Sequence, residues 1–362
     1  MFQPRDCRKL RDCLKMPTND CMPADFEKQS ALLLGCNELL PYHPQSLVEL
    51  CAALIDKIAL IGIVESEEQR KHVITLLCDW GLPAHLLHFV SLPVKGMWVR
   101  DYGPAFVRGR DGAITILDAE YLETDRPEDD KAPSELAALL RLPVAPVPLV
   151  CEGGNLLSNG QGLCLTTSAL AARNAPRGYT IQTTNEILGK YYGFRQIVVL
   201  RPLLSEPTGH IDMFATFVSP NVVVVGEYDP KIDPVNADIL NENARVLSQG
   251  RTAFGPLRVV RIPMPSNRGG IWKTFTNVIY ANDTLIMPTY GVSDLDAQRE
   301  AMETYARLLP GWEVVGIDAT SVIKQRGSLR CVSINIPWLE HVFPAPSEFK
   351  RSRLLKESVV AA

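Results

Sequence analysis

The strongest constraint on the fold is a pattern that recurs along the chain. A polar residue precedes a short apolar stretch, and in four of five cases a turn and a second apolar stretch follow. The polar residues are Asp101, Glu152, Asp212, Asn277 and Cys331, at intervals of about 50 to 70 residues. The first two turns contain Asp-Gly or Asn-Gly, which is a strong signal of a β-hairpin. The sequence therefore predicts a series of hairpin modules.

Helical segments separate the hairpins, and strand-like runs precede them. The spacing of apolar residues predicts helices over 47–58, 73–80, 134–142, 235–247 and 302–309, and further strands over 31–36 and 60–64. Strands that alternate with helices are typical of an α/β protein. We expect the modules to surround an axis and to direct their polar residues to one central site. The alternative is an ordinary α/β domain whose hairpins happen to begin with polar residues.

The composition narrows the classes of function. Hydrophobic residues make up 46% of the 362-residue chain and charged residues 22%, as in a globular protein with a substantial core. The net charge of -4 and the lack of a long basic run argue against a nucleic-acid partner. No stretch approaches the roughly 18 apolar residues of a membrane span, and the N-terminus lacks the apolar segment of a secretory signal. We therefore expect no membrane association.

The nine cysteines indicate the redox compartment. Their number is odd and no Cys-x-x-Cys pair occurs, so neither a zinc ribbon nor a thioredoxin-type site is indicated. Free thiols are typical of a reducing compartment. We therefore expect a cytoplasmic protein.

His210 lies in a polar cluster, Thr208-Gly-His-Ile-Asp-Met213, next to a strand-like run. The run spans 213–218, and side chains two apart point to the same face of a strand, so we expect His210 and Asp212 to project together into one cavity. A surface His–Asp contact is the simpler interpretation of the pair alone. Combined with the polar residues of the other hairpins, the pair suggests a site with one nucleophile, one imidazole and three carboxylates.

Three carboxylates are more than a plain Cys–His hydrolase requires, because such a site uses one orienting group beside the imidazole. A guanidinium substrate accounts for the others, since it donates hydrogen bonds to carboxylates in a rigid fork. Asp101 and Asp212 would hold the guanidinium while Cys331, as a thiolate, attacks its central carbon. His210 would protonate the departing nitrogen and then activate water, which releases a ureido product. This chemistry requires no cofactor.

The same side chains could instead bind a metal ion. Glu152, His210, Asp212 and Cys331 can all act as ligands, but the chain lacks His-Glu-x-x-His and any other dedicated zinc spacing. We therefore expect no metal site.

The motifs around these residues resemble a known family. Similar motifs occur in the agmatine deiminases and the bacterial-type peptidylarginine deiminases, and the matching segments are Trp98-Val-Arg-Asp-Tyr-Gly-Pro104, Glu152-Gly-Gly-Asn155, Thr208-Gly-His-Ile-Asp212, Asn277 and Gly327-Ser-Leu-Arg-Cys331. The resemblance implies the pentein fold, a five-fold pseudosymmetric α/β propeller of repeated hairpin-plus-helix modules. It implies one catalytic domain over residues 23–345. Residues 1–22 would be a loosely ordered extension and 346–362 a C-terminal tail.

The resemblance also implies roles for single residues. Cys331 matches the family's nucleophile and His210 its general acid and base. Asp101 and Asp212 match the carboxylates that bind the guanidinium, and Glu152 matches the residue that orients the histidine. The candidates for substrate binding are Trp98 and Asn277, which match pocket-lining positions, together with Asn155 and Arg330.

Two segments depart from the family's pattern. Agmatine deiminases usually have a glycine run and a histidine before the cysteine, whereas this chain has Gln325-Arg-Gly-Ser-Leu-Arg330. The stretch 117–126 lacks the expected tryptophans. It overlaps an acidic loop over residues 120–130. Both departures leave the substrate open. Arg330 could bind a substrate carboxylate or pair with a nearby acid, and the acidic loop could attract a cation or form a solvated face.

The sequence therefore predicts a guanidine deiminase that acts on agmatine, an arginine derivative or peptidyl arginine. Two alternatives stay open. An amidinotransferase would use an amine in place of water at the same covalent intermediate, and a non-catalytic protein would only bind the guanidine. The sequence is compatible with a homo-oligomer and does not decide the oligomeric state.

Overall fold

The computed structural model describes residues 21–292 and 294–339. The predicted tail over 346–362 lies outside these residues, as does the predicted extension over 1–22 except for Cys21 and Met22. The backbone N–H groups of Cys21 and Met22 donate to the carbonyl oxygens of Arg108 and Tyr192, so these two residues are held against the fold. The boundaries of the catalytic domain stay a prediction.

The described residues form eighteen strands and nine α-helices. The strands are β1 (Gln29–Leu34), β2 (Ala59–Val64), β3 (Leu87–Ser91), β4 (Ala105–Arg108), β5 (Ile114–Glu120), β6 (Val144–Val150), β7 (Leu157–Ser158), β8 (Leu163–Thr167), β9 (Gln196–Leu200), β10 (Ala215–Ser219), β11 (Val222–Glu227), β12 (Arg251–Thr252), β13 (Gly255–Pro256), β14 (Arg258–Pro263), β15 (Ile279–Ala281), β16 (Thr284–Thr289), β17 (Glu313–Asp318) and β18 (Ser333–Pro337). The helices are α1 (Cys36–Tyr42), α2 (Pro44–Leu54), α3 (Glu67–Asp79), α4 (Val99–Tyr102), α5 (Ala132–Leu140), α6 (Ser168–Asn174), α7 (Ile181–Tyr192), α8 (Pro234–Ser248) and α9 (Leu295–Leu308).

Five sheets share one connectivity. In each sheet an antiparallel pair of strands is followed by a third strand that runs parallel to the second. Four of these modules are β4-β5-β6, β7-β8-β9, β10-β11-β14 and β15-β16-β17. This recurrence confirms the α/β class and the repeated hairpin modules. The arrangement of the modules around one axis stays a prediction.

The fifth module joins the two ends of the described chain. Strand β18 pairs antiparallel with β1, and β1 pairs parallel with β2, so the connectivity of the other modules is reproduced from distant segments. Strand β3 extends this sheet next to β2. The residues just before β18 therefore depend on the N-terminal strand for their position.

Apolar faces of helices cover the sheets. Leu47 and Leu54 of α2 and Tyr305 of α9 are fully buried in one apolar cluster with Leu285 of β16. Each such side chain contributes about 1.5–3 kcal/mol when it leaves water. The expected cap of α3 is present, because the hydroxyl of Ser66 accepts the N–H of Gln69 at 3.2 Å. Within the described ranges, no helix has the length and apolar character needed to cross a membrane.

The sequence pattern located the hairpins and predicted β2 over 60–64, but it missed the third strands β6, β9, β14 and β17 of the other modules. Strand β6 contains Pro146 and Pro148, which are disfavoured inside a strand; it lies at an edge of its sheet, where a residue without an N–H is tolerated. The pattern also placed a strand over 213–218, whereas β10 begins at Ala215. His210 and Asp212 therefore lie before the strand, and the argument that strand alternation aligns them was wrong.

Tyr280 links neighbouring modules. Its buried hydroxyl donates to the carbonyl oxygen of Phe217 in β10 at 2.7 Å, and its own carbonyl accepts from Asn335 in β18 at 2.7 Å. Strand β15 thus contacts the module before it and the module after it.

We expect Tyr280→Phe to lower the free energy of unfolding by about 1–2 kcal/mol, because it leaves the buried carbonyl of Phe217 without its donor. Urea unfolding followed by circular dichroism measures the change. Tyr42→Phe is the matched control, since the Tyr42 side chain is 62% exposed. Equal losses in the two variants would contradict the assigned role of this hydrogen bond.

Candidate active site

The polar residues of the hairpins come together through short irregular segments rather than through strands. Asp101 lies in α4, Glu152 precedes a 3₁₀ turn over Gly153–Asn155, and His210 precedes a 3₁₀ turn over Ile211–Met213. Asn277 and Cys331 each lie two residues before a strand. Each segment turns the chain sharply just before its hairpin, which brings the side chains of different modules into contact.

His210 is held between two carboxylates. Its Nε2 lies 2.6 Å from Oε2 of Glu152, and its Nδ1 lies 3.6 Å from Oδ1 of Asp101. The side chain is buried. The other oxygen of Glu152 pairs with the Arg173 guanidinium at 2.8 Å, which fixes Glu152 against His210.

Gly154 allows this close approach. A Cβ atom at this position would lie 2.7 Å from Oδ1 of Asp101 and would overlap Nδ1 of His210. The N–H of Gly154 donates to the same Asp101 oxygen at 3.1 Å. The second glycine of the Glu-Gly-Gly-Asn motif is therefore required by the packing of the imidazole against the carboxylate.

The surroundings raise the pKa values of both His210 and Asp101. Burial lowers the pKa of His210, but the carboxylates of Asp101, Glu152 and Asp212 outweigh it and raise the pKa to about 9. Burial, opposed by His210 and reinforced by Glu152 and Asp212, raises the pKa of Asp101 to about 6. At neutral pH the imidazole is therefore a cation and a proton donor.

Cys331 contacts Asn277. Its Sγ lies 3.3 Å from Nδ2 of Asn277, and the Oδ1 of Asn277 accepts the backbone N–H of Arg330 at 2.8 Å. Burial, with the nearby carboxylates of Asp212 and Asp101, raises the pKa of the Cys331 thiol well above its usual range. The thiol is thus neutral in the substrate-free site, and a positive charge next to it would favour the thiolate.

Asp212 presents one bonded and one unbonded oxygen. The residue is fully buried, and its Oδ2 accepts a hydrogen bond from Nη1 of Arg330 at 2.7 Å. Its Oδ1 has no hydrogen-bond partner among the described residues. A buried carboxylate oxygen without a donor is costly, so this atom marks the place where a cationic donor would bind.

Arg330 pairs with acids of the protein. Besides Asp212, its Nε donates to Oδ2 of Asp25 at 2.8 Å, and the side chain is buried. This geometry favours the interpretation of a structural arginine over that of a ligand for a substrate carboxylate. Arg330 precedes Cys331 in a turn and not in a strand, so strand alternation does not set its direction.

Asn155 also makes protein contacts with both ends of its amide. Its Oδ1 accepts the N–H groups of Thr167 and Ile211, and its Nδ2 donates to the hydroxyl of Thr167. It connects the second hairpin to the segment that carries His210. We therefore regard Asn155 as a residue that positions His210 rather than as a substrate ligand.

Trp98 packs over the loop that carries Cys331. A Cβ atom at Gly327 would lie 2.8 Å from Cε3 of Trp98, so the indole requires glycine here. The segment before Trp98 is fixed by the acidic loop: Asp129 accepts the N–H groups of Lys95 and Gly96 at 2.6 and 3.1 Å. At least this carboxylate of the acidic loop is therefore structural and does not face a substrate.

The sequence pattern missed three charged residues of the site. Asp25 and Arg100 lie 3.6 Å apart, and the N–H of Arg100 donates to the carbonyl of Cys331 at 3.1 Å. Arg173 pairs with Glu152. Arg100 stands inside the Trp-x-Arg-Asp motif and was therefore visible, whereas Asp25 and Arg173 have no local signal. Among the described residues, no group of three or more His, Cys, Asp or Glu side chains is placed to bind a metal.

Comparisons with known proteins agree on one family. The family model named Porphyromonas-type peptidyl-arginine deiminase matches residues 21–337. A curated Legionella pneumophila (strain Paris) protein, "Putative agmatine deiminase", is 28% identical over 70% of this chain and 76% of its own. An "Agmatine deiminase" from Medicago truncatula is 24% identical over 87% of this chain and 96% of its own. The crystal structure titled "Putative Arginine Deiminase from Porphyromonas gingivalis" superposes with a TM-score of 0.77 at 26% identity, covering 88% of this chain and 98% of that chain.

We expect an NMR titration of His210 to give a pKa of about 9. Glu152→Gln should lower that pKa towards the ordinary value of about 6.5, because it removes a negative charge that stabilises the imidazolium. The His210 signal is assigned by its loss in His210→Gln. Glu49→Gln, on α2, is the control and should leave the titration unchanged; an unshifted pKa in Glu152→Gln would contradict the pairing.

Proposed function

The chain belongs to the Porphyromonas-type peptidyl-arginine deiminase family, and we propose that its site binds a guanidinium between Asp101 and Asp212. The protein is a guanidine deiminase, a hydrolase that converts a guanidino group and water to a ureido group and ammonia. The observation that carries the binding proposal is the buried Oδ1 of Asp212, which lacks a donor among the described residues. A guanidinium N–H supplies that donor together with a positive charge.

Binding of the cation also activates the nucleophile. The Cys331 thiol is neutral in the empty site because burial raises its pKa. A guanidinium beside the sulfur favours the thiolate, since an opposite charge stabilises the ionised form, and the thiol proton passes to water. The Cys331 sulfur then forms a bond to the central carbon of the guanidinium. The two carboxylates keep the guanidinium protonated, and its positive charge makes the central carbon electrophilic.

His210 moves the protons of both half-reactions. As an imidazolium it gives a proton to the departing nitrogen, which leaves as ammonia when the C–N bond breaks. The remaining carbon is bound to sulfur as a thiouronium. The neutral imidazole then takes a proton from water, and the resulting hydroxide adds to the carbon. The C–S bond breaks while the new hydroxyl group gives its proton to the sulfur, which releases the ureido product and restores the thiol. Glu152, fixed by Arg173, holds the imidazole during both steps.

The two alternatives have less support. The family's name is that of a deiminase, and the relatives in the comparisons are named as deiminases. A non-catalytic guanidine-binding protein would not need a thiol and an imidazolium at the same carboxylates. An amidinotransferase would need an amine acceptor, and no observation on the described residues favours one.

The pairing of the nearby arginines bears on the substrate. Arg100 lies 3.6 Å from Asp25, Arg173 lies 2.8 Å from Glu152 and Arg330 lies 2.7 Å from Asp212. Each of these cations is already paired with a carboxylate, so none is placed to bind the carboxylate of an arginine. We therefore propose agmatine, the substrate in the names of several relatives, ahead of free or peptidyl arginine. The free thiols of the seven described cysteines fit a cytoplasmic enzyme.

Product analysis tests this function. We expect ureido product and ammonia from agmatine, with little from free arginine, an internal-arginine peptide or a C-terminal-arginine peptide. Cys331→Ala should abolish turnover, because it removes the nucleophile. Cys36→Ala, which removes another buried thiol, is the control and should keep activity. Turnover by Cys331→Ala would overturn the mechanism, and product from a peptide alone would overturn the substrate.

Alkylation tests the state of the thiol. We expect iodoacetamide to modify Cys331 slowly at pH 7 and progressively faster beyond pH 9, because burial raises the thiol pKa. Peptide mass spectrometry reads each cysteine separately, and the exposed Cys78 reports the reagent's access to an open thiol. Rapid modification of Cys331 between pH 6 and 7 would show a preformed thiolate and contradict activation by the substrate.

A further inference from the structure

Arg330 is the residue of the cysteine motif that the mechanism above leaves without a role. Its guanidinium donates to four acceptors: Asp25, Asp212 and the carbonyl oxygens of Gly153 and Leu156. The side chain is 2% exposed. These contacts join the N-terminal segment, the second hairpin segment, the third hairpin segment and the residue before the nucleophile.

Asp25 is the second acid of this group. It accepts from Nε of Arg330 at 2.8 Å and lies 3.6 Å from Nη1 of Arg100. Burial raises the pKa of Asp25, but the guanidinium groups of Arg330 and Arg100 outweigh this effect and hold the pKa below its usual range. Two buried guanidinium groups thus face two carboxylates, the buried Asp212 and the 19% exposed Asp25, and their charges balance.

This charge balance determines which carboxylate oxygen of Asp212 is available to a substrate. Arg330 binds only Oδ2 of Asp212, and it fixes the carboxylate plane so that Oδ1 stays free. Arg330 is itself restrained from the other side by Asp25. Without that restraint, the charge of both arginines would be compensated by Asp212 alone.

We propose that Asp25 and Arg330 form a positioning pair that keeps one oxygen of Asp212 available to the substrate guanidinium. The pair touches Asp212 and the backbone next to Cys331, and it does not touch the substrate. Asp25 acts by sharing Arg330, and Arg330 acts by orienting Asp212. This proposal deepens the proposed function and rests on it.

The pair also bears on the position of the sulfur. The N–H of Arg330 donates to Oδ1 of Asn277, whose Nδ2 contacts Sγ of Cys331 at 3.3 Å. The N–H of Arg100 donates to the carbonyl of Cys331. The side chains of both arginines therefore contact Asp25, while their backbone N–H groups bond to Asn277 and to the carbonyl of Cys331.

The decisive variant is Asp25→Asn, which keeps the shape and removes the charge. We expect the affinity for guanidinium to fall about tenfold, because both arginines then draw on Asp212. The KM for the substrate should rise by a similar factor while kcat changes little. The pH midpoint of Cys331 alkylation should fall, because the positive charge of Arg100, which acts on both Asp25 and the thiol, is then less compensated.

Glu27→Gln is the matched control. Glu27 lies two residues from Asp25 in the same segment, pairs with Arg108 at 2.7 Å and accepts the N–H of Ala24 at 3.1 Å. Both substitutions weaken the anchoring of this segment, but only Asp25 contacts Arg330. A merely structural role predicts equal effects of the two variants on guanidinium affinity and on alkylation, and that result would overturn the proposal.

Guanidinium binding is measured by the guanidinium chloride concentration, in the low range, at which the rate of Cys331 alkylation by iodoacetamide has changed by half of its full amount, so turnover is not required. If no panel compound is turned over but guanidinium still changes this rate, the proposed activity fails and the positioning pair is still tested. Should Asp25→Asn not fold, Arg330→Lys replaces it: one ammonium cannot reproduce the fork that bonds Asp25 and Asp212. We expect that variant to bind guanidinium weakly with an unchanged alkylation midpoint, and wild-type affinity in the variant that is used would overturn the proposal.

Discussion

The cost of burying carboxylates governs the centre of this molecule. Glu152 and Asp212 are buried and Asp101 is 14% exposed, and an ionised carboxylate out of water is stable only with a partner. Glu152 pairs with His210 and Arg173, whereas one oxygen of Asp212 has no donor among the described residues, and we propose that a substrate cation supplies it. Segments from separate modules must meet for these carboxylates to lie together.

The close packing of the site follows from the same constraint. A charge pair gains most when its members are held at short distance, and here glycine residues remove the side chains that would separate them. Gly154 lets His210 approach Asp101, and Gly327 lets Trp98 cover the loop before Cys331. The order of these glycines in the motifs thus reflects the geometry of contacts between modules that are distant in sequence.

The sequence predicted the hairpin modules because a polar residue precedes each of the apolar stretches. It predicted the deiminase reaction because the motifs around these residues match a family. It failed where local pattern carries no information. The prolines of β6 disfavour a strand by local rules, whereas the edge position that tolerates them is a property of the assembled sheet. Asp25 lies far from every motif in sequence, and its relation to Arg330 appears only when the chain ends meet. His210 and Asp212 share a site through a 3₁₀ turn, which strand periodicity does not describe.

The pairing of β18 with β1 has a consequence for synthesis on the ribosome. Cys331 lies beside β18, the last strand among the described residues, and that strand completes a sheet begun by residues 29–34. The modules in between can form as they emerge, but Cys331 joins them only after β18 has been made. Contacts across so long a stretch of chain form slowly, since the loop between them must close first. The nascent protein would therefore carry the carboxylates that we propose to bind guanidinium before the proposed nucleophile is in place, and we expect a chain cut short before β18 to be inactive.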